Sequence, residues 1–413
     1  MSDPPLNDGQ KTTSAVASGL GVLVFVSVAF GLAFGIYETL LPFYWESAGI
    51  PRAVMGIIFS IAAAGVFLLR VYVGWLSDIF GRKLFYTASL GVSSMTQFGT
   101  PLLPGWVLQS LLKTSREASV LVRDAMHSVL LYERGSKKFM GSLGLTRGAE
   151  LNCNGLGCLI GGLLIWASAS AALQPNYRVP FLFSAGLVLV AAAAFGAFFK
   201  ATPSPPQETS GRGSLRSLFS ADLPPKLWLL VAFGFVFEAG LFTSHCFVMP
   251  LYFGDILTKA LHLDTIQMIL GVAVIMMAHR LVAGIPMMFV VPRLKKNLKG
   301  LFIGLVFFEG ITIAATPFIA NPWAAISVWL MHDLLGAGIW MPIQINYIQK
   351  YARPERRGAD VSKVLGLSQL GRVVGPLLAT VLLAVPMGYY EVGAPFVASG
   401  VIVALSSLIL LKL

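Results

Sequence analysis

The sequence predicts an all-helical, polytopic membrane protein: twelve transmembrane helices in two pseudo-symmetric six-helix bundles. Three observations predict it. The 413 residues are 56% hydrophobic and only 12% charged, with a mean hydropathy of +0.76, whereas soluble domains carry about 25% charged residues. Apolar runs of spanning length, about 20 residues at 1.5 Å rise per residue, recur along the whole chain. Lys and Arg, finally, gather in every second connection between those runs. A net charge of +11 would suggest nucleic acid in a soluble chain; here its placement gives it another cause.

The elements follow in order. The opening MSDPPLNDGQKTTSAVASG is polar and Pro-bearing and lacks the basic start and cleavage site of a signal peptide. Residues 1–16 are therefore expected as a tail and the first apolar run as a retained helix. Runs fall at about 17–38, 54–77, 84–102, 104–131, 142–167 and 180–200, then at about 226–253, 265–291, 299–319, 322–348, 363–385 and 391–412. The fourth is the least hydrophobic. Between the sixth and seventh lies TPSPPQETSGRGSLRSLFSADLPPK, rich in Pro, Ser and Gly, which reads as a linker over 201–225. The halves are thus 17–200 and 226–413. The 42 glycines suit helices packed backbone to backbone in lipid. Cys153, Cys158 and Cys246 lie in apolar runs without a CxxC and read as packing residues, not a disulfide framework.

An even number of spans places both termini on one side. With that side cytoplasmic, Arg82, Lys83, Arg134, Lys200, Arg293, Lys295, Lys296, Arg356, Arg357 and most other cations fall there, against Arg52, Arg178 and Lys259 on the opposite face. This is the positive-inside pattern. The halves also repeat. VAFG at 28–31 precedes LPFY at 41–44, as VAFG at 231–234 precedes MPLY at 249–252. Arg70-x3-Gly74 recurs as Arg280-x3-Gly284, and Gly157-x3-Gly161 as Gly371-x3-Gly375. Duplication of this kind is a frequent build for secondary transporters.

The connection between the second and third spans, GWLSDIFGRK at 74–83, resembles the signature loop of the major facilitator superfamily, G-x-L-[SA]-D-x-x-G-R-[KR]. Gly74, Leu76, Ser77, Asp78, Gly81, Arg82 and Lys83 carry the match. Glycines at its two ends suit close helix approach and a sharp turn, and Arg82 and Lys83 suit a lipid–water boundary. The resemblance implies a twelve-helix fold, transport by alternating access, and a loop that latches the halves together. Met288 stands where Asp78 would recur, so the latch is expected in the first half alone. KTSREASVLVRDAM at 113–126 is similar to the fourth-span pattern of some bacterial permeases of this family, through Lys113, Arg116, Arg123, Asp124 and Ala125. Arg123 and Asp124 are expected near the signature loop, as partners of Asp78. GLGCLIGG at 155–162 lacks the Pro of the family's antiporter signature, so antiport is not assigned.

Charged side chains inside a span cost about 2.5–3.5 kcal/mol each on insertion scales and usually face the protein interior or a pathway. Glu38, Arg116, Glu150, Glu238, His332, Asp333 and Arg372 are the candidates for a substrate or proton pathway; Glu309, in the ninth span, reads as structural. No Walker loop, HExxH or GxSxG is present, so neither ATP-driven transport nor enzymatic activity is expected, and no cofactor is called for. The expected partners are a small-molecule or ion substrate and the bilayer, without ATP or nucleic acid. The expected function is a proton-coupled secondary transporter of a bacterial inner membrane, or of a membrane derived from it, with both termini cytoplasmic. A metal ion or its chelate, iron included, is the specific alternative substrate, since Glu38, Glu238, His245, His332 and Asp333 offer hard and borderline ligands. A likeness to permeases of bacterial magnetosome membranes points the same way but rests on no diagnostic residue. A third reading is a scaffold or sensor that keeps the fold without transporting.

Overall fold

The computed structural model describes residues 8–80, 82–134, 139–169, 174–200, 222–294, 297–353, 357–390 and 392–413. Six helices form the first half: α1 (Asp8–Ser47), α2 (Arg52–Phe80), α3 (Arg82–Gly99), α4 (Trp106–Arg134), α5 (Phe139–Ser168) and α6 (Arg178–Phe198). In the second half several spans are broken. The seventh is α7 (Pro225–His245) followed by α8 (Val248–Leu261), and the eighth is α9 (Thr265–Phe289). The ninth is α10 (Leu298–Ala315). The tenth runs as α11 (Pro322–His332), a π turn (Asp333–Ala337) and α12 (Gly338–Tyr351). The eleventh is α13 (Arg357–Ser368) with α14 (Gly371–Leu382), and the twelfth is α15 (Ala394–Ser406) with a 3-10 turn to Lys412.

Ten of these twelve segments are long and apolar enough, among the described residues, to cross a membrane. The two that fall short are α3, rich in Ser and Thr, and α4, which carries Lys113, Arg116, Glu117, Arg123 and Asp124. Their packing inside the first half, α3 on α4 and α6 and α4 on α2, makes up for the weak hydropathy. Two spans run longer than their apolar runs: α1 continues to Ser47, and the seventh span continues to Leu261.

Local chemistry sets the breaks. Pro250 has no N–H to offer the carbonyl of Cys246 four residues back, and Cys246 leaves helical geometry at φ −79°, ψ −112°. Gly336, at φ −122°, ψ −105°, kinks the tenth span. Starts are capped by sequence: Asp264 and Gln267 form a capping box at α9, and Asn321 accepts from the Ala324 N–H at 3.0 Å ahead of Pro322. Pro42 and Pro376 lie inside α1 and α14. Each withholds the N–H that would close on the carbonyl four residues earlier, those of Glu38 and Arg372.

The repeat seen in the sequence has a structural counterpart. A Cβ on Gly157 would stand 2.1 Å from the Leu32 carbonyl oxygen, and one on Gly371 would stand 2.3 Å from that of Phe235. The two glycine pairs thus press the fifth span onto the first and the eleventh onto the seventh. The halves meet along α5 with α9 and along α2 with α14.

One apolar cluster is shared by both halves: Trp45, Met55 and Ile58 pack with Phe247, Val248 and Ile256 at the end remote from the chain termini. The clusters at the terminal end are private, Leu23–Ala33 with Met126 and Phe195 in one half, Leu227–Phe237 with Trp340 and Leu410 in the other. At the remote end Arg52 also reaches across to Asp255, Nη1 to Oδ2 at 2.8 Å and Nη2 to Oδ1 at 3.1 Å. At the terminal end Arg353 clamps Asp222 and Asp360, which fastens the start of the seventh span to the connection between the tenth and eleventh.

Candidate functional site

The charged residues of the first half condense into two groups along α4. In one, the carboxylate of Glu38 receives Lys113 Nζ at 2.8 and 2.9 Å and is also bonded by Arg116 Nη1. Glu117, four residues after Lys113, takes the same ammonium at 2.8 Å. The two cations are fully buried and lie against rings: Lys113 over Phe59 at 4.5 Å, Arg116 over Phe34 at 4.6 Å and Tyr37 at 4.4 Å. Such faces hold a desolvated cation by about 2 kcal/mol. In the other group Arg123, over Phe30 at 3.8 Å, binds Glu150 at 2.6 Å and its neighbour Asp124, while Arg147 meets Asp124 at 3.1 Å. Each group holds two positive and two negative side chains.

The second half contributes one pair to this region. Arg372 donates from Nε to Glu238 Oε2 at 2.9 Å and from Nη2 to Oε1 at 3.0 Å, and stacks on Phe242 at 4.5 Å. It also lies within electrostatic range of Glu117 and Asp124 of the first half. Six of the expected residues, Glu38, Arg116, Arg123, Glu150, Glu238 and Arg372, thus belong to a charged layer of three ion-paired groups, two along α4 and one joining the eleventh span to the seventh.

His332 and Asp333 do not join it. They sit at the kink of the tenth span, where α11 gives way to the π turn, beside His245, the last residue of α7, and His279 of α9. His245 Nε2 and His332 Nε2 are 2.9 Å apart, and His279 Nε2 abuts Asp333 Oδ2. Of the residues offered as possible metal ligands, Glu38 and Glu238 are bonded by cations, whereas His245, His332 and Asp333 come together with His279. Glu309 is fully buried and accepts from Trp340 Nε1 at 2.5 Å.

Of the signature loop, Arg82 and Lys83 open α3, half-buried. Gly81 and the side chain of Asp78 lie outside the described residues, as does Gly74 apart from its helical backbone, so the partnership of Arg123 and Asp124 with Asp78 is not tested. The partners seen for Arg123 are Glu150 and Asp124. Sequence reasoning missed Glu117, Arg147 and His279 as site residues and treated Lys113 only as part of a motif. For Lys113 and Glu117 the signal was present: spacing of four puts them on one helix face with Arg116. A lone His in the apolar run of α9 offers no such signal.

Comparison with curated protein sequences finds no match. Among solved structures the chain resembles the nucleoside transporter NupG, at 12% identity with a TM-score of 0.69 over 95% of this chain and 99% of that one. A mutant form of the same transporter gives a TM-score of 0.71 at 12% identity, over 95% and 97%. The human organic anion transporter MFSD10 (TETRAN) is similar at 14% identity and a TM-score of 0.65, over 99% and 100%. These likenesses concern the fold. The model of the Major Facilitator Superfamily matches residues 147–376, more than half of the chain, and the protein is a multi-pass membrane protein that belongs to that superfamily.

Proposed function

We propose that the protein is a secondary active transporter that moves a small solute by alternating access, coupled to protons. The observation that carries this reading is the charged layer in which Arg372 of the second half lies within electrostatic range of Glu117 and Asp124 of the first, themselves paired with Lys113 and with Arg123 and Arg147. Buried ion pairs are poor stabilisers compared with apolar side chains of similar volume, so a balanced set of them between two bundles is better explained by use. A proton or polar solute entering the layer displaces one partner from another, and that exchange biases which face opens. NupG is named for nucleosides and MFSD10 for organic anions; a small organic solute is the class proposed here. The latch role of Gly74, Asp78, Gly81, Arg82 and Lys83 belongs to the same proposal.

The proposed topology has both termini cytoplasmic in a bacterial inner membrane, or one derived from it, with halves 17–200 and 226–413 joined through 201–225. Reporter fusions within 205–215 and after Arg357 should report cytoplasm, and fusions at 258–262 the other side; a reversed pattern refutes the topology. The transport proposal is tested in proteoliposomes carrying an internal pH indicator and challenged with nucleosides and organic anions. Solute-dependent proton entry that disappears in Glu38→Gln is expected. Absence of both solute uptake and proton flux across the panel would leave the scaffold or sensor reading standing.

A further inference from the structure

We infer that His245, His279, His332 and Asp333 form a binding site for one borderline divalent transition-metal ion of the zinc class, distinct from the charged layer. The three imidazoles present ligand nitrogens that all lie within 4.8 Å of one another. They come from three different spans, so the fold, and not a local sequence repeat, gathers them. Three of the four residues stand at helix breaks, His245 at the end of α7, His332 at the end of α11 and Asp333 at the start of the π turn. Single π turns inside helices are frequent at functional sites.

Hydrogen bonding fixes which atoms face inward. His332 Nδ1 is bonded to the Trp329 carbonyl, which only accepts, so Nδ1 carries the proton and Nε2 presents its lone pair. His245 Nδ1 is 2.8 Å from Ser244 Oγ, which donates onward to Ser399 Oγ at 2.8 Å. His245 Nδ1 is then also the protonated nitrogen. With both rings neutral, two Nε2 lone pairs confront each other across 2.9 Å. Either a shared proton or a bound cation relieves that contact. Outer hydrogen bonds of this kind, to a carbonyl and a hydroxyl, are how ligating histidines are usually oriented. Trp329 walls the site, with its ring 4.5 Å from His279 and 4.9 Å from His332.

Charge points the same way. Asp333 is buried and its Oδ2 is paired with His279 Nε2, so a carboxylate stands directly among the imidazoles. Glu309 is buried within electrostatic range of Asp333, with Oε1 unbonded among the described residues. Asp333 supplies one anionic ligand beside the three imidazoles, with the cation Arg280 also within electrostatic range. Three imidazoles and a carboxylate are the donor set that suits zinc, cobalt or nickel. With metal–nitrogen bonds of about 2.0–2.1 Å, tetrahedral ligands stand about 3.3 Å apart, so loading moves His245 and His332 apart by a few tenths of an ångström. His245 is the one ligand of the four that is only half-buried, and it marks the side from which an ion enters.

The test uses the full chain, purified in detergent through a tag without histidines, stripped with chelator and titrated with Co²⁺. One Co²⁺ per chain is expected, with the visible absorption bands of a four-coordinate site, bleached by equimolar Zn²⁺. His279→Ala and His245→Ala should each weaken binding at least about tenfold, as loss of even an outer-shell partner does, while Glu38→Gln binds as the native chain. Absence of a stoichiometric, Zn²⁺-displaceable spectrum in the native chain overturns the inference, whatever the variants do. A native spectrum that persists unchanged in both His variants overturns it equally. Solute-driven proton flux is scored separately, so a failure here leaves the transport proposal untouched.

Discussion

Arg372 and Glu238 are joined by two hydrogen bonds, Nε to Oε2 at 2.9 Å and Nη2 to Oε1 at 3.0 Å, so the eleventh span is forked onto the seventh. A fork of this type is specific to guanidinium. Arg372→Lys should therefore lower transport nearly as much as Arg372→Ala. In a double-mutant cycle with Glu238→Gln, thermal stability and transport should both be less than additive, with a coupling of about 0.5–3 kcal/mol. Additive losses would show that the pair does not act as a unit.

Glu38 takes Lys113 and Arg116 together. Glu38→Gln removes the charge, keeps the shape, and leaves two buried cations with Glu117 alone. Transport is expected to fall by tenfold or more, about 1.4 kcal/mol at 25 °C. Membrane abundance should stay near native, because Arg116 remains over Phe34 and Tyr37. Glu309→Gln, still able to accept from Trp340, should transport close to normally. Equal effects of the two substitutions on uptake would contradict the assignment of Glu38 to the pathway.

Arg52 and Asp255 close the face remote from the termini across the two halves. Both are partly exposed, so the pair is worth at most about 1 kcal/mol. Asp255→Asn should raise the labelling rate of a cysteine placed at Met55 a few-fold, and more at low salt than at high. The charge-swapped pair, Arg52→Asp with Asp255→Arg, should return the rate towards native. A labelling rate indifferent to both variants would place the closure in the apolar cluster alone.

Gly157 and Gly371 allow helices to touch where any Cβ would meet a backbone carbonyl. Gly157→Ala and Gly371→Ala should each destabilise the purified protein by about 1–3 kcal/mol, read as a lower Tm. Gly304 has nothing within 4 Å of an added Cβ, and Gly304→Ala should leave Tm unchanged or raise it. A uniform response of the three would mean that the glycine pairs do not set helix contact.

The spans were legible because a helix in lipid must be apolar for its whole length, and ten satisfy that test by themselves. α4 escapes it, since Lys113, Arg116, Glu117, Arg123 and Asp124 are neutralised by one another and by α1 and α5, which hydropathy cannot register. Glu38, Glu238 and Arg372 were legible as costly charges, but their partners were not, because pairing depends on helix rotation. The histidine site was half legible. His332–Asp333 stood out by adjacency, whereas His279 becomes meaningful only once α9 is packed against the kink of the tenth span. The π turn itself has no sequence sign beyond a glycine at 336.

Parting the halves at the face remote from the termini wets Trp45, Ile58, Phe247 and Val248 together, since they share one cluster. Newly hydrated apolar surface adds about 0.45 cal/K/mol per Å² to the heat capacity. The opening equilibrium at that face therefore bends with temperature, and cooling, which weakens apolar association, favours the open arrangement. The terminal face holds no cluster common to both halves among the described residues, so its opening should follow a nearly straight van't Hoff line. Cold and warmth thus act on the two faces unequally, and a chilled sample is the one in which the remote face is most often found apart.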